Sequence, residues 1–190
     1  MIQIKKEKRL MKATECIKTR RSIRRFTDSA VTDETMKEIV GLASYSPSWK
    51  NTQVVRYMAV RDDSVKNRIA DECVLGFEGN NKIIRSCPVL TVISVKHGIS
   101  GYERSGEPST SKEDRWEVFD AGIATQTFCL AAHELGLGTV IMGIFDEKKV
   151  AEAVSLPEGQ KAAALVATGY PALQPDMPKR KTAEDILIFR

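Results

Sequence analysis

Arg20-Arg21-Ser22-Ile23-Arg24-Arg25-Phe26 is the stretch on which the reading of this chain turns. Four guanidinium groups fall within six residues, and such a run is ordinarily a solvated patch that follows a helix. Two apolar residues, Ile23 and Phe26, interrupt it, and Ser22 adds a hydroxyl. Interleaved apolar side chains hold a backbone in place, and a rigidly held guanidinium fork suits a phosphate bidentately. On composition alone, a solvated patch and an anion site stay equally open.

The charge around this stretch is uneven. Residues 1–25 hold ten Lys/Arg against Glu7 and Glu15, a local +8, while the remaining 19 basic and 23 acidic residues give −4. A basic end on a mildly acidic body does not suit a general nucleic-acid binder, which spreads positive charge over a face. It suits a chain that gathers cations around one anionic group. With 190 residues, 42% of them apolar and 28% charged, a single domain over 1–190 with a real core is predicted. No apolar run reaches the roughly 18 residues of a membrane span. Met1-Ile2-Gln3-Ile4-Lys5-Lys6 is not followed by the apolar stretch of a secretory signal. A cytoplasmic protein with no membrane or nucleic-acid partner is therefore expected. Cys16, Cys73, Cys87 and Cys129 form no C-x-x-C pair, so free thiols, mostly buried, are expected and zinc is not.

Further out, the pattern alternates between helix and strand. Residues 8–19 predict a short amphipathic helix with Leu10, Met11, Ala13, Cys16 and Ile17 inward. Thr32 is a good N-cap, Asp33 and Glu34 complement the dipole, and Val31 and Met36 occupy the staple positions. Met36, Ile39, Val40 and Ala43 then repeat at helical spacing, and the helix stops before Pro47. Val54–Arg61 and Pro88–Val95 read as strands, Ser64–Cys73 as a helix, and Phe77–Lys82 as a loop. Residues 97–114, with Gly98, Gly101, Gly106 and Pro108, read as a mobile surface loop. Small and apolar residues on several sides of Arg115–Leu135 predict a helix buried all round. Thr139–Phe145 and Ala162–Thr168 follow as strands, with a short helix from Asp146 to Val154 between them. The Pro-rich tail 172–190 ends in Ile186-Leu187-Ile188-Phe189, apolar enough to need burial. The irregular order predicts an α+β class.

Two motifs can be weighed at once. Gly136-Leu137-Gly138 follows a helix and precedes a strand, the reverse of a dinucleotide turn, so it reads as a C-cap with tight packing. No phosphate-binding loop of the G-x-x-x-x-G-K-[ST] type is present. Ser46-Pro47-Ser48-Trp49-Lys50-Asn51-Thr52-Gln53 is a helix-to-strand loop whose Ser, Asn and Gln side chains could also bind hydroxyls or a heterocycle edge.

Taken in order, four blocks resemble the nitroreductase family over almost the whole chain. They are Arg20–Phe26; Ser46–Gln53; Asp120-Ala121-Gly122-Ile123-Ala124 through Leu135-Gly136-Leu137-Gly138-Thr139; and Gly169-Tyr170-Pro171 with Lys179-Arg180-Lys181. The resemblance implies a nitroreductase-like α+β fold with a central, mostly antiparallel sheet flanked by helices. It also implies an intertwined homodimer with C-terminal tail exchange and FMN at the interface. Arg20 and Ser22 should meet the phosphate and ribityl chain and Arg24 the pyrimidine edge, with Arg21 also in the cofactor site. Pro47, Ser48 and Asn51 should come from the other subunit, and Trp49 and Gln53 of the same loop also belong to the cofactor site. Lys82, in the neighbourhood of Asn80 and Asn81, matches a lysine near the ring edge. Backbone groups of Ile141, Met142 and Gly143 should face the flavin, and Lys179 and Lys181 the phosphate.

The implied activity is transfer of electrons from NAD(P)H to nitroaromatics, quinones or similar small acceptors that occupy one pocket in turn. The chemistry is borne by the flavin, so no catalytic side chain or metal is expected. Three departures stand out: Trp49 replaces a small residue, Val54-Val55 replaces a usual Pro-Trp, and Lys181 replaces an arginine. Other flavin chemistry on the same fold, such as dehalogenation or dehydrogenation, is the nearest alternative. A non-enzymatic protein that captures an anion or nucleic acid with its basic N-terminus is the alternative from another class.

Overall fold

The computed structural model describes residues 11–190; the part of the predicted first helix before Met11 lies outside the described residues. Among those described, seven helices and four strands occur in mixed order. They are α1 (Ala13–Thr19), α2 (Asp33–Ala43), β1 (Val55–Val60), α3 (Asp63–Arg68, continuing as a π turn over Ile69–Cys73), α4 (Glu78–Ser86) and β2 (Val89–Lys96). Then come α5 (Arg115–Glu134), β3 (Gly138–Met142), α6 (Glu147–Ala153), β4 (Gln160–Gly169) and α7 (Ala183–Ile186). The sheet order is β1-β2-β4-β3 and every pairing is antiparallel. The class is α+β, as the mixed order of elements predicts.

Helices cover both faces of this sheet. Along β2 the side chains alternate with the period of two that a strand imposes. Val89, Ile93 and Val95 pack with α2 and α5 through Met36, Ile39 and Phe128. Leu90 and Val92 pack on the opposite face with Ile69, Ile84 and Val150. A strand covered on both sides has no polar face, which is why Val89–Val95 is a β-branched run. Each of the fully buried Ile39, Ile93 and Phe128 side chains stabilises the fold by about 1.5–3 kcal/mol.

The signals read around α2 are realised in the structure. The Thr32 hydroxyl accepts from the Thr35 N–H, and Val31 and Met36 are buried. At the end of α5, the Leu137 N–H donates to Ala132 O and the Gly136 N–H to His133 O, with Gly136 at φ +83°. That is the paired closure that favours glycine after a helix.

Three expectations are corrected. Phe77–Lys82 is not a loop: α4 begins at Glu78, driven by burial of Ile83 and Ile84. Its two asparagines are tied down by tertiary contacts, Asn80 Nδ2 donating to Ile144 O and Asn81 Nδ2 to Ala70 O. Helix α5 is not buried all round, since Val118 (64% exposed) and Phe119 (57%) lie on an open side. In α1 only Cys16 is buried, and Ile17 and Ala13 face outward. The 97–114 segment is a succession of turns with many ties, in which Ser109 N–H donates to Gly101 O and Glu103 N–H to Glu107 O. Two buried carboxylates of α5 hold its start: Glu117 accepts from Gly98 N–H and pairs with His97, and Asp120 accepts from Ser100.

Candidate active site

The arginine segment runs along the outer edge of β3. Ser22 pairs with Thr139 in a parallel bridge, and the Ile23 N–H donates to Thr139 O at 2.9 Å. Thr27 N–H and Tyr170 O, then Ala172 N–H and Arg25 O, continue the attachment past the end of β4. Shape reinforces these bonds. A Cβ on Gly138 would stand 2.4 Å from Ile23 Cγ1, and one on Gly169 would stand 2.9 Å from Phe26 Cδ1. The two glycines thus let Ile23 and Phe26 lie directly against the sheet, with the arginines between them projecting outward.

A cleft of about 520 Å³ opens beside this segment, lined by Arg20, Arg21, Ser22 and Arg24 on one side and Pro175–Pro178 with Arg180 on the other. The tail therefore does fold back over the basic run. Arg180 lines the cleft, whereas Lys179 and Lys181 flank it in sequence and are exposed. Arg21 spends its guanidinium on Lys18 O and Arg20 O. Among the described residues neither Arg20 nor Arg24 forms an ion pair with a carboxylate, and Asp176 is the only acid lining the cleft. The charge reaches inward: burial pushes the His133 imidazole below its usual range, and Arg20 adds to the shift. His133 is half-buried and bonded to the Thr19 hydroxyl at 2.8 Å.

The Ser46–Gln53 loop is a second centre. Ser48 Oγ accepts from Gln53 N–H at 3.0 Å, and Gln53 Nε2 donates to Asn51 Oδ1 at 3.3 Å. Lys50, Asn51 and Gln53 all have positive φ, at 44°, 55° and 49°. Non-glycine residues seldom adopt that region, and clusters of them mark functional loops. The Trp49 ring lies 4.7 Å from that of Trp116, which meets Phe119 edge-on at 5.5 Å. Among the described residues, buried Trp49 Nε1 and Thr52 Oγ1 have no hydrogen-bond partner. Ser46, Pro47, Ser48 and Gln53 also line an apolar cavity of about 340 Å³ between α2, β1 and α5.

These two centres lie at opposite corners of the sheet. The arginine segment sits at β3, level with Gly169 and Thr168; the loop enters β1 at Val55, which is level with Val95 and Lys161. Three strand spacings and about seven residues of strand separate them, on the order of 25 Å. Helix α5 gives a similar measure, because Asp120 beneath the loop is fifteen residues from Leu135 near Gly138, about 22 Å of helix.

The remaining predicted residues lie outside both centres, and Lys82 is not brought together with Ile141–Gly143: it borders a groove with Ala70, Asp71 and Val74. Lys82 is exposed on α4, paired with Glu78 at 3.2 Å. Asn80 of the same helix holds Ile144 O, just beyond Ile141, Met142 and Gly143. Met142 is buried, while Ile141 and Gly143 are exposed at the end of the edge strand. Thr139 turns its carbonyl toward the outer edge of β3, so the backbone of Ile141, two residues on, faces the same open edge. Sequence reasoning missed Arg180 as the tail cation in the cleft, and it missed Asp120 beneath the loop.

A model of the nitroreductase family matches residues 17–78 and 74–170 of this chain. An NADPH-flavin oxidoreductase of Vibrio harveyi is 30% identical over 183 residues, covering 91% of this chain and 71% of that protein. Among solved structures, a nitroreductase family protein from Clostridium novyi NT superposes with a TM-score of 0.73 at 27% identity, covering 87% of this chain and 89% of that one. The NADPH:FMN oxidoreductase from Vibrio harveyi in complex with NAD+ gives 0.78 at 26% identity, covering 93% and 76%.

Proposed function

Because this chain belongs to the nitroreductase family, an oxidoreductase family, we propose that it is a cytoplasmic FMN-dependent enzyme that uses NAD(P)H to reduce nitroaromatics, quinones or similar small acceptors. The observation that carries this reading is that two features, each incomplete as a cofactor site, lie about 25 Å apart on one chain. A cationic cleft suited to a phosphate lies at one corner, and a strained loop with unpartnered buried donors lies at the other. A two-fold related second copy would bring the cleft of one chain to the loop of the other. Open apolar surface supports such a homodimer: Val118 and Phe119 on α5, and Ile186, Leu187, Ile188 and Phe189 (87% exposed) in the tail. An apolar tail of this kind suits exchange onto the partner.

The residues fit the cofactor. Arg20 and Arg180, lining the cleft without carboxylate partners among the described residues, would hold the phosphate, and Ser22 the ribityl hydroxyls. Arg24 would meet negative charge on the pyrimidine edge. Arg21 would stiffen the segment through its carbonyl contacts, and Lys179 and Lys181 would strengthen the positive field. Pro47, Ser48, Trp49, Asn51 and Gln53 would close the site from the partner chain, and the edge backbone at Ile141–Gly143 would border the ring. Bound FMN supplies two-electron chemistry between NAD(P)H and the acceptor. The aromatic surface of Trp49, Trp116 and Phe119 favours planar acceptors.

Purified protein should be yellow, bleach on anaerobic addition of NADH or NADPH, and regain colour when a nitroarene or quinone is added. Protein that bleaches yet reoxidises with no organic acceptor would retain the cofactor assignment and refute the reductase. Colourless protein that takes up no FMN would refute both.

A further inference from the structure

One buried carboxylate joins the two loops around the aromatic cluster. Asp120, on α5, accepts the Trp49 N–H on both oxygens at 3.1 Å and the Ser100 hydroxyl on Oδ2 at 2.7 Å. Trp49 belongs to the Ser46–Gln53 loop and Ser100 to the 97–114 segment. The same two segments meet again where Lys50 Nζ reaches Glu103 Oε1 at 2.8 Å. Asp120 lies in the Asp120–Ala124 block, and the family resemblance gives it no role.

The loop needs such a tie. Three non-glycine residues out of four in the left-handed region form an arrangement that persists only where its surroundings over-determine it. Within the loop, Ser48 closes on Gln53. To the helix beneath it, Ser46 Oγ donates to Thr127 Oγ1, and Trp49 N–H donates to Asp120. An ionised carboxylate accepting a backbone N–H is the stronger kind of bond, and a buried carboxylate needs every donor it can reach.

We propose that Asp120 is a positioning residue for the flavin site. It fixes the backbone from which Ser48 and Asn51 reach the cofactor, and through Ser100 it makes the 97–114 segment respond to cofactor occupancy. The proposal rests on the flavin reading. Coupling of this kind is reciprocal: whatever the segment gains when cofactor binds, the cofactor gains when the segment is held.

Two variants test it. Asp120→Asn keeps the shape but removes the charge: the Ser100 hydroxyl can turn to accept the new amide N–H, while the Trp49 N–H exchanges a charge-assisted acceptor on two oxygens for one neutral amide oxygen. FMN titration of the folded apoprotein, followed by flavin fluorescence, should show at least about tenfold weaker binding. Ser100→Ala leaves the Trp49 bond intact, and its readout is tryptic cleavage at Arg104 and Lys112, both exposed in the 97–114 segment. In wild type, saturating FMN should slow that cleavage several-fold, and in Ser100→Ala the protection should be lost. If FMN merely covers the segment by direct contact, protection persists in Ser100→Ala and the coupling is overturned. Should Asp120→Asn fail to fold, Ser100→Ala decides the coupling, and Asp120→Glu, which keeps the charge but displaces both oxygens by a methylene, decides the positioning role in the same FMN titration. Folded Asp120→Asn binding FMN as tightly as wild type overturns the positioning role. A wild-type chain that takes up no FMN overturns the flavin reading and this proposal with it.

Discussion

Replacing Gly138 with alanine asks whether the arginine segment is held by shape. The added Cβ would stand 2.4 Å from Ile23 Cγ1, 2.6 Å from Ile23 Cβ and 2.9 Å from Ile23 Cγ2. These are about 1 Å inside the 3.5–4 Å at which carbon atoms attract. A rotamer change can relieve only one of the first and third contacts, because Ile23 Cβ carries two carbons and one hydrogen, and none relieves the second, because Cβ moves only with the backbone. That backbone is fixed by the Ile23 N–H to Thr139 O bond, and Ile23 is only 2% exposed. Either β3 or residues 20–26 must therefore shift.

Overpacking of this kind costs about 1–3 kcal/mol, and an anchored Cβ places it near the top of that range. In a domain of this size each kcal/mol lowers Tm by about 2–4 °C, so the apoprotein should melt roughly 4–12 °C lower. FMN affinity should fall as well, since Arg20, Ser22 and Arg24 move with the segment. Calorimetry of the apoprotein and an FMN titration measure the two effects separately. Adding Ile23→Ala to Gly138→Ala should not restore stability, because the 2.6 Å contact survives and the buried Ile23 side chain is lost, at a cost of about 2–5 kcal/mol. Gly138→Ala melting within 1 °C of wild type would refute the argument.

Three other outcomes are expected. Gly41→Ala should raise stability by about 0.5–1 kcal/mol, because Gly41 lies inside α2 and a Cβ there meets nothing within 4 Å; an unchanged or lower Tm counts against it. Burial, assisted by Arg20, holds His133 below its usual value, so as pH falls below about 6.5 the unfolded chain takes up a proton that the folded chain resists. That contribution is fully present above pH 6.5 and lost as pH falls through the lower folded value, so His133→Gln should flatten the decline of Tm over that range, and parallel curves would exclude it. All four cysteines are buried, and burial pushes every thiol up, Cys87 to about 11. A thiol reagent at pH 8 should therefore modify them only after denaturant is added, and rapid stoichiometric labelling of native protein would contradict this.

The fold was legible wherever a segment's own pattern matches its final environment. Thr32, Val31 and Met36 announce α2 because a cap and a staple are local devices, and Val89–Val95 announces a strand covered on both faces. The α4 start failed for the complementary reason. Glu78-Gly79-Asn80-Asn81 has a turn-like composition, and only contacts from elsewhere, at Ile144 O and Ala70 O, favour it as helix. Gly79 has a further cause: a Cβ there would lie 2.9 Å from the Phe77 ring. The open side of α5 was misread because its surface residues, Val118 and Phe119, are as apolar as its core. Composition cannot separate apolar residues covered by the chain's own sheet from apolar residues left open.

The site divides in the same way. The arginine segment was readable as a held cationic run because Ile23 and Phe26 show what holds it, although their seats, Gly138 and Gly169, lie more than a hundred residues away. Asp120 carried a signal that could have been used. It stands at i with Ala124 and Phe128 at i+4 and i+8, on the buried face of α5. A carboxylate there is costly unless donors converge on it, so its position implies a donor set from another segment. The polar loops before and after β1 and β2 are where such donors would come from, and Trp49 N–H and Ser100 Oγ are the ones found. An acid on an apolar helical ridge is thus evidence about the loops above it, and here those loops are the ones that frame the site.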